Sequence, residues 1–328
     1  MRRTIVIVGG VAGGASCAAR ARRLDENAAI IVMERGEYIS FANCGLPYFV
    51  SKEISTREKL LVTSPERMRK RFGIDIRVRH EVVSIDRIGK TVQVRDHHEG
   101  RTYRQSYDLL VLSPGAQSVK PMLPGMDNHR VFCLRTVPDA ERIRRFVEQN
   151  DPLAAVVVGG GAIGLEMTEN LAHLGLRVTL VEMADQVMPW LDREIAEWIH
   201  QHLRFQGVEL FLNSPLERCD ENSDGRLIVR AGGEREIPCD MVICAIGVKP
   251  ESELPQAAGL DIGPHGGVLT NEHFQTSDPN VYAIGDVIEV QDRLTGEPRL
   301  IPLANLANRQ GRLVADRVIA DFVCPEGP

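Results

Sequence analysis

Apolar residues in this 328-residue chain gather in short unbroken runs, and two of those runs open the same order of elements. Thr4–Val8 reads "TIVIV", passes into "GGVAGGASCAARARRL", and is followed by Ala29–Met33 "AIIVM", which ends in Glu34. From Ala154 the pattern returns: "AAVVV" at Ala154–Val158, then "GGGAIGLEMTENLAHLG", then "RVTLV" at Arg177–Val181, which ends in Glu182. Short apolar runs bounded by glycine predict strands buried on both faces, as in a parallel sheet covered by helices. Each copy therefore reads strand, glycine turn, helix, strand, acid. A repeat this long predicts two related α/β domains of Rossmann-like type rather than a solenoid.

Other segments fill in the frame. Glu81–Asp96 and Thr102–Leu112 read as strands, and "HHEG" at His97–Gly100 reads as a turn whose histidines are solvated. Glu194–Gln206 has helical periodicity and stops at Gly207. "DPNVYAIGD" at Asp278–Asp286 is a turn, a short strand and an acid, and Asn305–Phe322 reads as a helix. "LSPGA" (Leu112–Ala116) and "AIGVKP" (Ala245–Pro250) each close a strand with a turn, and are the expected crossings between domains.

Composition narrows the partners. The chain is 43% hydrophobic and 26% charged, with a net charge of −6, an ordinary globular balance. No basic stripe with interleaved aromatics marks a nucleic-acid partner. The basic cluster from Arg67 to Arg79 reads either as a solvated helix face or as a site for an anionic ligand. No apolar run reaches the roughly eighteen residues of a membrane span. "MRRTIVIVGG" begins like a signal peptide, but its five-residue apolar run meets glycine and fits a buried strand better. Seven cysteines, scattered and without metal-ligand spacing, predict free thiols in a reducing, cytoplasmic setting and no metal.

The glycine turns carry the first chemistry. Gly159, Gly161 and Gly164 form G-x-G-x-x-G between strand and helix. The first glycine permits the tight turn, the second lets backbone approach a pyrophosphate, and the third lets helix pack on strand. Free N–H groups at the helix start favour the phosphates. Glu182, eighteen residues beyond Gly164, is placed to accept from a ribose diol and to repel a 2′-phosphate, which predicts NADH over NADPH. The bland alternative is a surface glutamate after a structural turn. In the first copy, Gly9, Gly10, Gly13 and Gly14 surround Val11, which occupies the slot of the second glycine, so Gly10 and Gly13 are expected to supply the close approach. Glu34, twenty residues past Gly14, is placed for a second ribose. Two dinucleotide folds predict two dinucleotides. A flavin can take hydride from a nicotinamide and pass the pair to sulfur, so FAD, NADH and one thiol form a coherent electron path.

The thiol is Cys44 in "SFANCGLPYF", with no second cysteine at CxxC or CxxxxC spacing. Free cysteine is commonly a small buried packing residue, and Cys17, on the first helix and facing the sheet, reads that way. Cys133, Cys219, Cys239, Cys244 and Cys324 read as packing or surface. A helix beginning at or just after Cys44 would favour its thiolate.

These motifs resemble one family. "VIVGGVAGGASCAARARRL", "SFANCGLPY", "LSPGA", "GGGAIGLE", "VEMADQVMP", "AIGVKPES", "TSDPNVYAIGD" and "IPLANLANRQGR" together resemble the flavin-dependent pyridine nucleotide–disulfide oxidoreductases. The match is narrower to the single-cysteine branch that contains coenzyme A-disulfide reductase, coenzyme A-persulfide reductases, NADH oxidase and NADH peroxidase. "SFANCGLPY" is more similar to the coenzyme A-linked members. The resemblance implies an FAD domain at residues 1–118 and 248–328, with an NAD domain, 119–247, inserted in it. It implies that Gly9, Gly10, Gly13, Gly14, Glu34, Ser113, Gly115 and Asp286 serve FAD. Gly159, Gly161, Gly164, Glu166, Glu182 and Gly247 would serve NAD. Glu166 would lie near the nicotinamide; read plainly, it is a first-turn glutamate complementing the helix dipole. Ser40 and Asn43 would border Cys44, and Arg20, Arg23 and Arg71 (or Lys70) would meet coenzyme A phosphates. Family members form homodimers through a C-terminal domain of roughly a hundred residues that this sequence lacks, so it reads as a fragment or a short form.

The implied activity is NADH-driven reduction of coenzyme A disulfide or a coenzyme A persulfide, with Cys44 passing through a mixed disulfide with the small-molecule substrate. Three alternatives stay open: an NADH oxidase or peroxidase in which Cys44 cycles through sulfenic acid, an electron-transfer reductase for a protein partner such as rubredoxin, and a nucleotide-binding fragment with little turnover. The presence of the cysteine disfavours the second.

Overall fold

A computed structural model describes residues 3–233 and 235–323. The chain divides into two compact units, Met1–Phe41 with Leu61–Gln117 and Lys249–Pro328, and Ala42–Leu60 with Ser118–Val248.

In the first unit, five strands run in the order Val281–Ala283, Leu109–Leu112, Thr4–Val8, Ala29–Glu34, Asp75–Val78, every neighbour parallel. Alternate residues of a strand point to opposite faces, and both faces are covered. Ile5, Ile7, Ile30 and Val32 pack with Cys17, Ala18, Ala21, Val314 and Ala315 of the helices Ala12–Leu24 and Ala304–Val323. Val6, Val8, Ile31 and Met33 pack with Val82, Val92 and Val94 of an antiparallel layer, His80–Asp86, Thr91–Asp96 and Arg101–Ser106. The two long runs expected as strands break at turns. One break is held by Gly89 N donating to Asp86 Oδ1 at 2.9 Å, the other by Thr4 N donating to Asp108 Oδ2 at 2.6 Å.

The second unit repeats the plan. Its parallel sheet runs Glu209–Phe211, Arg177–Val181, Ala154–Val158, Met241–Cys244, Val131–Phe132. An antiparallel layer, Leu216–Glu221, Leu227–Ala231 and Arg235–Cys239, contributes Leu227, Val229 and Ile237 to the same core as Val156, Val158 and Val242.

Ala42–Leu60, the stretch holding Cys44, packs within the second unit. The reason is local packing. The Arg144 guanidinium, on the helix Val137–Asn150, lies 4.6 Å from the Phe49 ring centroid and donates to the Phe49 and Ser55 carbonyls at 3.4 and 3.2 Å. Lys52 pairs with Glu148 at 3.2 Å, and Arg57 with Glu141 at 3.6 Å.

One crossing in the first unit has no slack. A Cβ built on Gly311, in the helix Ala304–Val323, would sit 2.3 Å from the Gly13 carbonyl oxygen and 3.1 Å from Cys17 N. Helix backbones meet there, so a side chain has no flexible neighbour to displace. Gly311→Val should lower unfolding stability by about 2 kcal/mol, seen as a fall in Tm by circular dichroism; an unchanged Tm would show that the two helices separate freely.

Candidate active site

The two glycine turns have the same internal geometry. Gly9 (φ +92°) and Gly159 (φ +107°) lie in the left-handed region. A Cβ on Gly9 would fall 2.0 Å from the Ser113 carbonyl oxygen, and one on Gly159 2.4 Å from that of Ala245. Neither position admits any residue but glycine. Gly14 and Gly164 pack helix against turn: a Cβ on either would lie 1.9 Å from the carbonyl oxygen of Gly9 or Gly159, respectively. A Cβ on Gly161, at the N-cap, would find nothing nearer than Trp190 at 3.8 Å. That open side is the cradle a pyrophosphate needs.

The acids are tied to these turns. Glu34, buried at the end of its strand, accepts from Gly10 N at 2.8 Å and Gly36 N at 2.7 Å. Burial pushes its carboxyl above the usual range against those two N–H donors. Glu182, also buried, accepts from Gly160 N at 2.5 Å and Ala184 N at 2.8 Å. Gly10 thus acts as a donor to the acid. Its counterpart Gly160 does the same and was missed, although aligning the two repeats would have found it. The remaining predicted cofactor residues sit beside these turns within their own units. Ser113 N donates to Val8 O at 2.8 Å, and its Oγ would lie 2.8 Å from a Cβ on Gly13. Gly115 (φ +83°) accepts from Glu251 N at 3.0 Å. Asp286 follows Gly285, whose N–H donates to buried Gln310 Oε1 at 2.7 Å. Gly247 (φ +117°) accepts from Val119 N at 3.0 Å.

Cys44 is exposed. It lies in a short 3-10 turn, Asn43–Gly45, that runs directly into the helix Leu46–Val50. Gly45 is pressed against Ile54 and Leu60, where a Cβ would fall 2.9 Å from each side chain, so the turn is held from below while the thiol faces out. Half-buried Tyr48, one helical turn on, has its hydroxyl pKa raised by burial first and then by Glu169, Glu166, Glu53 and Cys44. The thiol segment and Glu166 therefore share one neighbourhood. Glu166 is the fifth residue of the helix Ala162–His173, so it sits past the first turn and does not cap the dipole as its plain reading had it. Burial, then Glu169, raises its carboxyl pKa.

A cleft of about 290 Å³ opens in the first unit between the helices Ala12–Leu24 and Pro65–Phe72. Ser40, Thr63, Arg23, Arg67 and Arg71 line it. Arg67 and Arg71 are four apart on a helix and share a face. Arg23 and Arg71 both lie over the Phe72 ring, at 5.7 and 5.2 Å. Among the described residues, Arg23, Arg67 and Arg71 have no carboxylate within ion-pairing distance. Ser40, with φ +44°, is held in the wall by donating to Gly10 O at 3.0 Å and accepting from Val62 N at 2.8 Å. Of the residues expected to meet phosphates, Arg23 and Arg71 converge here. Arg20 is instead paired with Asp316 at 2.7 Å, and Lys70 is not among the lining residues. Arg67 and Thr63 were missed; the i, i+4 arginine spacing was the available signal. Asn43 is half-buried beside Cys44, in the other unit.

The other thiols differ from Cys44. Cys17, Cys219, Cys239 and Cys244 are buried, and Cys133 is half-buried. Burial pushes Cys17 and Cys239 up to about 12 and Cys219 to about 11. Cys324 lies outside the described residues. Among the described residues no group of three or more His, Cys, Asp or Glu could hold a metal ion, and no helix is long and apolar enough to cross a membrane.

Duplicate glycine turns with strand-end acids and, among the described residues, one exposed thiol are the features of a two-dinucleotide redox protein. The chain belongs to the pyridine nucleotide-disulphide oxidoreductase family, whose model matches residues 3–311. A reduced Bacillus anthracis CoADR-RHD structure superposes with a TM-score of 0.94 at 50% identity, covering 98% of this chain and 57% of that one. An NAD-dependent persulfide reductase from A. fulgidus gives 0.92 at 36% identity, covering 96% and 59%. A coenzyme A disulfide reductase of Staphylococcus haemolyticus is 34% identical over 96% of this chain and 70% of its own length. The chain therefore spans less than two thirds of these two solved relatives. The family is FAD-dependent and uses NAD(P)H, and both cradles fit a dinucleotide.

Gly159→Ala places a methyl group on a carbonyl and demands a left-handed alanine. Binding of NAD+ should weaken by about tenfold or more, measured by titration calorimetry, while flavin content stays at the wild-type value.

Proposed function

We propose that the protein is an FAD-dependent NADH oxidoreductase that reduces coenzyme A disulfide or a coenzyme A persulfide through Cys44. The observation that carries this reading is the cleft of three arginines with no ion-pair partner among the described residues. Its wall includes Ser40, four residues ahead of Cys44 in the chain. Guanidinium groups suit phosphate oxygens by bidentate hydrogen bonding, and a substrate bearing phosphates at one end and sulfur at the other would use both features. The names of the relatives support the same reading.

Bound FAD would accept hydride from the nicotinamide and return the electron pair to sulfur. The residues of this chain do the rest. The glycine turns and their helix N-termini hold the two pyrophosphates, and Glu34 and Glu182 receive ribose hydroxyls. The Glu182 carboxylate, at the strand end, disfavours a 2′-phosphate there and so favours NADH. The Cys44 thiolate attacks one sulfur of the substrate disulfide. The substrate S–S bond breaks, one thiolate leaves, and a Cys44–substrate disulfide forms. Two electrons then cleave that bond and restore the Cys44 thiolate, releasing the second thiol after it takes a proton.

Two experiments test this. Cys44→Ser should lower coenzyme A disulfide reduction on the order of 10³-fold while NADH still bleaches the flavin; undiminished disulfide turnover sinks the assignment. If wild-type protein instead consumes NADH with oxygen or peroxide alone and ignores the disulfide, the oxidase or peroxidase reading replaces it. Arg23→Ala and Arg71→Ala should each raise KM for coenzyme A disulfide about tenfold (~1.4 kcal/mol) and leave KM for an uncharged disulfide unmoved. Arg20→Ala should leave both KM values unchanged.

A further inference from the structure

Two thiols that the proposed reaction does not use lie side by side at the nucleotide end of the second unit's sheet. Met241–Cys244 and Val131–Phe132 are parallel neighbours, with Val242 opposite Val131 and Ile243 opposite Phe132. One more step in this register brings Cys244 opposite Cys133. Strands in register lie about 4.8 Å apart, inside the 4.4–6.8 Å Cα separation a disulfide accepts. The two thiols are close enough to shift each other's ionisation, and Cys244 Sγ has the Val119 carbonyl oxygen at 3.6 Å. Both are thiols in this structure.

Their environments differ in the way a reactive pair requires. Cys244 is 2% exposed, whereas Cys133 is half-buried and reachable. The neighbouring Cys244 thiol lowers the Cys133 pKa, with help from Lys120 and Arg142, against burial and Asp139. The Cys244 pKa is raised, first by the Cys133 thiol and then by burial. The more accessible Cys133 is therefore the sulfur that an oxidant reaches first, with the buried Cys244 behind it.

Location supplies a consequence. Cys244 is the last residue of its strand. The next residue, Ala245, donates to Val158 O at 2.8 Å and sets its own carbonyl against Gly159. Val119, whose carbonyl faces Cys244, donates its N–H to Gly247 at 3.0 Å. The nucleotide turn is thus bounded by residues that a bond at Cys244 would pull.

We propose that Cys133 and Cys244 are a peroxide-sensitive dithiol whose closure to a disulfide weakens pyridine-nucleotide binding at the adjacent Gly159 turn. The chemistry balances with hydrogen peroxide as oxidant. The Cys133 thiolate attacks one peroxide oxygen, the O–O bond breaks, and Cys133 sulfenic acid and hydroxide form. The Cys244 sulfur then attacks the Cys133 sulfur and gives up its proton; the S–S bond forms and water leaves. Overall two thiols and one peroxide give one disulfide and two waters. The nucleotide half of the proposal rests on the reading of Gly159–Gly164 as the pyridine-nucleotide turn, and the thiol half does not.

The test uses flavin-loaded Cys44→Ser protein, so that Cys44 cannot take the oxidant. After hydrogen peroxide treatment, peptide mass mapping should find Cys133 and Cys244 linked, the pair lighter by two hydrogens. Titration calorimetry should then show NAD+ affinity lower by about fivefold or more, restored by dithiothreitol. A Cys133→Ser, Cys44→Ser protein should bind NAD+ as its parent does and ignore peroxide. A Cys133 that stays a thiol, or advances to sulfinic acid without joining Cys244, overturns the proposal, as does a disulfide that leaves NAD+ affinity unmoved. Mapping requires no turnover, so failure of the disulfide-reductase reading would leave this result interpretable.

Discussion

Each half of this protein depends on one buried carboxylate held by a glycine turn. A carboxylate taken out of water is costly unless its oxygens are hydrogen-bonded. Glu34 and Glu182 meet that demand with backbone N–H groups, one from the turn after the first strand and one from two residues beyond the acid itself. The bonds fix the end of the second strand to the start of the first helix. In the proposed function they also set the acid where a ribose would arrive and the open side of the turn where a phosphate would. Fold and proposed binding site are therefore the same set of constraints, written twice in one chain.

Much of this was readable beforehand because the constraints are local. A left-handed glycine, a glycine under a helix, and an acid at a strand end leave marks within some thirty residues, from Thr4 to Glu34 and from Ala154 to Glu182. The parallel order of both sheets follows from apolar runs that have no polar face. Other features were not readable because they are decided by distant partners. The Cys44 segment sits between two stretches of the first unit in sequence, yet Arg144 draws it to the second. Arg20 and Arg23 look alike along the helix, but Asp316, almost three hundred residues away, removes Arg20 from the cleft. A carboxylate that far along the chain gives no local signal.

The cysteines show how environment, rather than residue type, assigns a role. Cys17, Cys219 and Cys239 are packing groups whose protons are held firmly by burial. Cys44 differs by exposure alone: its turn is clamped at Gly45 and the sulfur is left to solvent. Cys133 and Cys244 differ by adjacency, which no spacing in the sequence reveals because 111 residues separate them (133 to 244) and only the sheet register joins them.

The arginine cleft has an effect that reaches beyond contact. Three guanidinium groups with no ion-pair partner among the described residues, on a chain whose net charge is −6, form a local positive region within a repelling field. Such a region draws in polyanions from about a Debye length, near 8 Å at physiological salt, and turns away anions that approach elsewhere. For the proposed substrate, ionic strength would then govern how often a phosphorylated disulfide is captured, and would have little hold on the electron transfer that follows.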